Sequence, residues 1–64
     1  MNCYFTINEH LTLEVCVGAT GTAVVETRSS GSGSVSNKQV FWNESEAAAR
    51  AFVAGVEYMA AQNN

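Results

Sequence analysis

From residue 2 to residue 17 the chain alternates apolar and polar residues with a period of two. Cys3, Phe5 and Ile7 alternate with Tyr4 and Thr6, and Leu11, Leu13, Val15 and Val17 alternate with Thr12, Glu14 and Cys16. Successive side chains of a strand point to opposite faces, so this pattern predicts two half-buried strands, residues 2–8 and 11–18. Matching the two apolar rows sets Ile7 opposite Leu11, Phe5 opposite Leu13 and Cys3 opposite Val15, with Asn8, Glu9 and His10 as the turn. The two cysteines then lie on opposite faces, which argues against a disulfide between them.

Gly18-Ala19-Thr20-Gly21 reads as a turn into a third strand, residues 22–28. Its apolar residues do not choose a face by themselves. The register with Ala23, Val25 and Thr27 toward the core is preferred, because the other would bury Glu26 and Arg28. It leaves Glu14 near Glu26 on the outer face, with Arg28 placed to relieve the repulsion diagonally. Residues 29–37 are Ser, Gly and Asn apart from Val35 and read as a mobile surface loop.

A short apolar strand, Val40-Phe41-Trp42, then runs directly into one long helix ending near Gln62. Asn43 is expected to be the N-cap, Glu46 to close a capping box, and Trp42 and Ala47 to form a hydrophobic staple. At 100° per residue, Ala48, Ala49, Phe52, Gly55, Val56, Met59 and Ala60 share one arc, opposite Glu46, Arg50 and Glu57. Ala47, Ala51, Ala54 and Tyr58 form a shallower apolar strip, and Val53 falls among the charges. Gly55, kept mid-helix at a cost of about 1 kcal/mol, suggests close approach by another group.

The order is thus β-β-β-loop-β-α: an α+β fold, one domain over residues 1–64, with an antiparallel sheet of three to four strands covered on one face by a single C-terminal helix. A chain this short buries only about 60% of its unfolded surface, so the leftover apolar strips predict a homodimer. A formal charge of −3 and a pI near 4.8, with Arg28, Lys38 and Arg50 as the lone cations, exclude a nucleic-acid binder. No apolar run is long enough for a transmembrane helix and no signal segment is visible, so the expected setting is the cytoplasm with reduced thiols. Two cysteines and one histidine cannot supply four zinc ligands, and no cofactor is expected.

Catalysis finds little support in the residues. There is no Asp, the single His10 lies in a turn far along the strand from Cys16, and helix capping explains the Glu44 and Glu46 pair. The Ser/Gly loop before Lys38 lacks phosphate-loop spacing and leads into a strand. What remains is binding. Trp42 and Tyr58 are candidates for stacking on a ligand, Arg28 for meeting phosphate, and Asn43, Glu57 and the Asn-rich tail for polar contacts across a dimer.

The run from Val40 to Tyr58 has an aromatic strand, an acidic helix start, an Ala-x-x-Phe step (Ala49 to Phe52) and a Gly-x-Glu-Tyr step (Gly55 to Tyr58). It resembles the C-terminal pattern of small phage-type anti-defence proteins and covers about a third of the chain. It departs from that pattern after Tyr58, where Met59-Ala60-Ala61 replace polar residues. That group includes oligomeric sponges that sequester nucleotide immune signals such as histidine-ADP-ribose. The resemblance implies sequestration without catalysis, inside an infected host cell, and carries over no binding residues. The expected function is a non-enzymatic sponge for a nucleotide-derived signal. The alternative is a protein-protein inhibitor of a host defence factor such as a CRISPR effector, acting through an acidic outer sheet face or the Val53 strip.

Overall fold

The structure, a computed structural model, describes residues 2–62; the Asn63-Asn64 tail lies outside the described residues. Four strands, β1 (Asn2–Asn8), β2 (Leu11–Val17), β3 (Thr22–Ser29) and β4 (Val35–Asn43), precede one helix, α1 (Glu46–Gln62). The strands form a single antiparallel sheet in the order β1-β2-β3-β4, and α1 packs against all four from one side. This is the α+β architecture that the alternation and the amphipathic C-terminal run predict.

The β1–β2 register holds where the apolar rows are strictest: Cys3 pairs with Val15 and Phe5 with Leu13. Near the turn it slips. Asn8 pairs with Leu11 and Thr6 with Thr12, so Ile7 bulges out of the ladder instead of facing Leu11. Ile7 still packs against the core, and the bulge lets Asn8 close the tight turn, its Oδ1 accepting the His10 N–H at 2.8 Å.

The expected face of β3 is reversed. The turn closes with the Gly18 N–H donating to the Gly21 carbonyl at 2.9 Å and sets Val17 opposite Thr22. Directly paired residues share a face, so Thr22, Val24, Glu26 and Arg28 follow Val17 to the helix side, while Ala23, Val25 and Thr27 face away. Val24 is fully buried. The anticipated cost of burying charge is avoided because Glu26 and Arg28 lie toward the far end of the strand and bond each other at 2.7 and 3.3 Å. Glu14, on the open face, meets Val25 rather than Glu26, so that repulsion never arises.

The fourth strand begins at Val35, well before Val40, and the nine-residue loop shrinks to a hairpin tip. Ser30 N–H donates to Ser34 O at 2.8 Å, Gly33 N–H to Ser30 O at 3.0 Å, and Ser34 N–H to Ser30 Oγ at 3.2 Å. Gly33 has φ 91°, a conformation a side chain would resist. A second bulge, at Val40, re-aims the end of β4: Phe41 pairs with Val24 on the helix side and Trp42 with Ala23 on the open face.

Helix α1 begins two residues later than expected. Ser45 is the cap: its Oγ accepts the Ala48 N–H and its carbonyl the Ala49 N–H, each at 3.4 Å. Asn43 instead forms a turn, with its Oδ1 accepting the Ser45 N–H at 2.9 Å. Glu46 reaches forward to Arg50 at 2.8 Å rather than back to a cap, and Trp42, turned to the other face, staples nothing.

The core consists of Leu13, Val15 and Val24 from the sheet and Ala49 and Val53 from the helix, all at most 2% exposed. Cys3, Phe5, Ile7, Val17, Val40, Phe41, Phe52 and Val56 pack around them, with the Phe41 and Phe52 rings stacked at 4.7 Å. Val53 is therefore central rather than an outlier among charges. Gly55 and Met59, expected inside, are exposed, and a Cβ built on Gly55 meets nothing within 4 Å. The buried stripe is turned toward Val53 because a glycine contributes no side chain to bury.

Candidate functional site

The five residues singled out as ligand-binding do not converge within one chain. Trp42 stands half-exposed on the open face of the sheet, whereas Tyr58, 64% exposed, lies on the outward side of α1. Asn43 is occupied with the turn into the helix, and Glu57 lines a concavity of about 320 Å³ with Thr6, Ile7, Asn8, Ala60 and Ala61. Arg28 is near the opposite end of β3 from Ala23, the partner of Trp42, roughly 17 Å away at ~3.3 Å per residue.

Arg28 does, however, sit in a chemically coherent cluster. A cavity of about 290 Å³ is lined by Arg28, His10, Ser29, Ser30, Ser34, Val35 and Ser36. Two turns and the strands beside them build it. The β1–β2 turn supplies His10, the end of β3 supplies Arg28 and Ser29, the hairpin tip supplies Ser30 and Ser34, and the start of β4 supplies Val35 and Ser36. The Ser29 N–H donates to the His10 carbonyl at 2.9 Å and ties the first of these to the second. The tip is held by its own bonds, including Ser30 Oγ to Ser32 Oγ at 2.8 Å.

Arg28 is the principal donor of this cluster. Its Nε and Nη2 donate to the two Glu26 carboxylate oxygens, which leaves about three of a guanidinium's five N–H donors for another acceptor. Glu26 is only 19% exposed and thus fixes the orientation of the guanidinium, which is itself 61% exposed. Glu9 Oε1 also stands 4.0 Å from His10 Nε2, so a carboxylate borders this cluster. A planar cationic donor beside an imidazole and serine hydroxyls is the chemistry that suits a small oxyanion. From sequence alone His10 is weighed for catalysis and the Ser/Gly stretch for phosphate, and both are set aside, because the stretch reads as a linker and nothing local joins it to a turn some twenty residues earlier.

The open face of the sheet is the other conspicuous surface. Tyr4 is 68% and Trp42 49% exposed, with Cys16, Ala23 and Val25 between them. It is not acidic: Glu14 is its one carboxylate among the strand residues described, since Glu26 faces the helix side. Glu14 accepts a hydrogen bond from Asn2 Nδ2 at 2.8 Å and raises the Tyr4 pKa above its ordinary 10.0, as acceptor and as neighbouring charge. Burial, reinforced by Glu14, raises the Cys16 thiol above its ordinary 9.0.

Cys3, on the helix side, accepts a 3.5 Å hydrogen bond from Arg50 Nη2, and both cysteines are free thiols on opposite faces, as the alternation predicts. Among the described residues no group of three or more His, Cys, Asp or Glu could hold a metal ion, and no helix is long and apolar enough to cross a membrane. Comparison with known protein families, with curated proteins and with solved structures finds no match to this chain.

Proposed function

We propose that this protein is a non-enzymatic binder of a small phosphate-bearing molecule of the nucleotide class, held at the Arg28 cluster. The observation that carries this reading is that Arg28, His10 and four serines line one cavity. Phosphate prefers a planar guanidinium flanked by neutral donors. A sequestering role in the manner of phage anti-defence sponges, in the host cytoplasm, rests on the resemblance of the C-terminal run. Trp42 and Tyr58 lie on different faces, so stacking by either would belong to a separate contact.

The test is thermal melting of the protein against inorganic phosphate, AMP and ADP-ribose, repeated with Arg28→Ala. Arg28→Ala also leaves Glu26 unpaired, so Arg28→Ala/Glu26→Gln serves as the matched variant. A ligand present at about 100 times its dissociation constant adds about 2.7 kcal/mol, a shift of many degrees in so small a domain. A shift with the nucleotides that both variants abolish and Trp42→Ala retains supports the site. A flat panel, or a shift the variants leave intact, overturns it.

A second reading has its own observation, the exposed Tyr4 and Trp42 on an uncovered and nearly uncharged sheet face. Aromatic rings on a flat surface suit a protein partner such as a host defence factor. Capture of a partner lost with Trp42→Ala and kept with Arg28→Ala would favour it.

A further inference from the structure

We infer that β1 is a self-pairing edge, and that two copies of this chain join there into one continuous eight-stranded sheet with both helices on the same side. β1 and β4 are the edges of the sheet. Edge strands discourage pairing with Lys, bulges or proline, and β4 carries Lys38 and the bulge at Val40. β1 contains no charged residue and no proline, and its bulge, at Ile7, lies near its end.

The order of residues in β1 is also symmetric in polarity about Phe5. Antiparallel pairing with a second copy on that centre sets Cys3 against the partner's Ile7 and Tyr4 against the partner's Thr6, with Asn2 and Asn8 at the ends of the seam. Tyr4 and Thr6 thus meet on the open face, and the half-buried Cys3 and Ile7 meet on the helix side, where their exposed remainder is covered.

The helix supplies the second argument, charge complementarity. Arg50 stands over Cys3, its Nη2 at 3.5 Å from the sulfur, while Glu57 stands over Thr6, Ile7 and Asn8. The same two-fold that sets Cys3 against the partner's Ile7 therefore sets Arg50 facing the partner's Glu57, and Glu57 facing the partner's Arg50. Glu57 is in no ion pair or side-chain hydrogen bond among the described residues, so the matched charge is unused within one copy. Arg50 is already held upright by Glu46 at 2.8 Å. Parallel pairing, or pairing through β4, offers no such match.

Sedimentation across a wide concentration range, with amide hydrogen exchange at the same concentrations, tests this. The expected result is a mass that doubles with concentration while the β1 amides gain protection and the β4 amides do not. Glu57→Lys, which breaks no ion pair or side-chain hydrogen bond among the described residues, places Lys beside Arg50 twice per dimer and should weaken association about ten-fold. Arg50→Glu combined with Glu57→Lys restores the match and should recover most of the affinity. A protein that stays monomeric at every concentration overturns the inference. So does a dimer whose β1 amides remain unprotected, or one indifferent to Glu57→Lys.

Discussion

The Trp42 indole occupies the space where a side chain on Gly21 would stand: a Cβ there would come within 2.4 Å of Cζ2 and 2.7 Å of Cε2. The carbonyl oxygen of Asn43 would be 2.9 Å away. A glycine in the β2–β3 turn thus seats the ring on the open face, beside Ala23.

Gly21→Ala should therefore lift the indole off the sheet and strain the end of β4, costing about 1–3 kcal/mol as overpacked sites do. Trp42 is the single tryptophan, so its emission reports the change directly. A red shift together with a lower melting temperature is expected. Unchanged emission and melting would mean that the ring does not rest on Gly21.

Gly55→Ala should act in the opposite direction. Nothing lies within 4 Å of an added Cβ, and the residue is exposed in the middle of α1. Alanine removes the glycine penalty of about 1 kcal/mol, worth roughly 4–8 °C in a domain this small. A fall in melting temperature would show that this position is covered in solution, and would point to a partner surface on that side of the helix.

The helix also shows where the sequence could be read and where it could not. Its amphipathic character and its β-strand partners follow from periodicity alone, as does the pairing of Cys3 with Val15 and Phe5 with Leu13. Periodicity does not fix the rotation of the helix to within one residue. Val53 lies at the margin of the apolar arc, and only packing against Leu13, Val15 and Val24 brings it to the centre. In β3, Ala23, Val24 and Val25 put apolar residues on both faces, so the turn geometry at Gly18–Gly21 decided the register. The cap was ambiguous because Asn43 and Ser45 are both good capping residues two apart. Arg28 was identified as a cation for phosphate, but its neighbours His10 and Ser34 come from distant turns and share no local pattern with it.

Val53→Ala and Met59→Ala distinguish the observed helix rotation from the one that periodicity favours. Val53 is 1% exposed and Met59 60%. Truncating the buried valine should cost about 2 kcal/mol through lost burial and the cavity left behind, whereas the methionine change should stay within about 0.5 kcal/mol. Chemical denaturation measures both. The reverse order would place Met59, not Val53, against the sheet.

Alkaline behaviour should be governed by the open face. Cys16 and Tyr4 have folded-state pKa values raised above 9.0 and 10.0, by burial and Glu14 for the thiol and by Glu14 for the phenol. The folded chain therefore keeps protons that the unfolded chain releases. Their contribution to stability is full below the unfolded values and is lost as pH rises through the folded ones. Both groups are largely solvent-screened, so the loss should be gradual. In a Cys3→Ser background, alkylation at pH 9 reads the Cys16 thiolate alone, and it should be slower in the folded protein than in the denatured chain. Glu14→Gln removes the neighbouring charge and brings the folded-state values down toward the unfolded ones, so Cys16 should then react faster and the alkaline loss of stability, whose onset the unfolded chain sets, should become smaller. An alkylation rate unchanged by Glu14→Gln would leave burial as the whole cause of the raised thiol, and would detach Glu14 from the chemistry of this face.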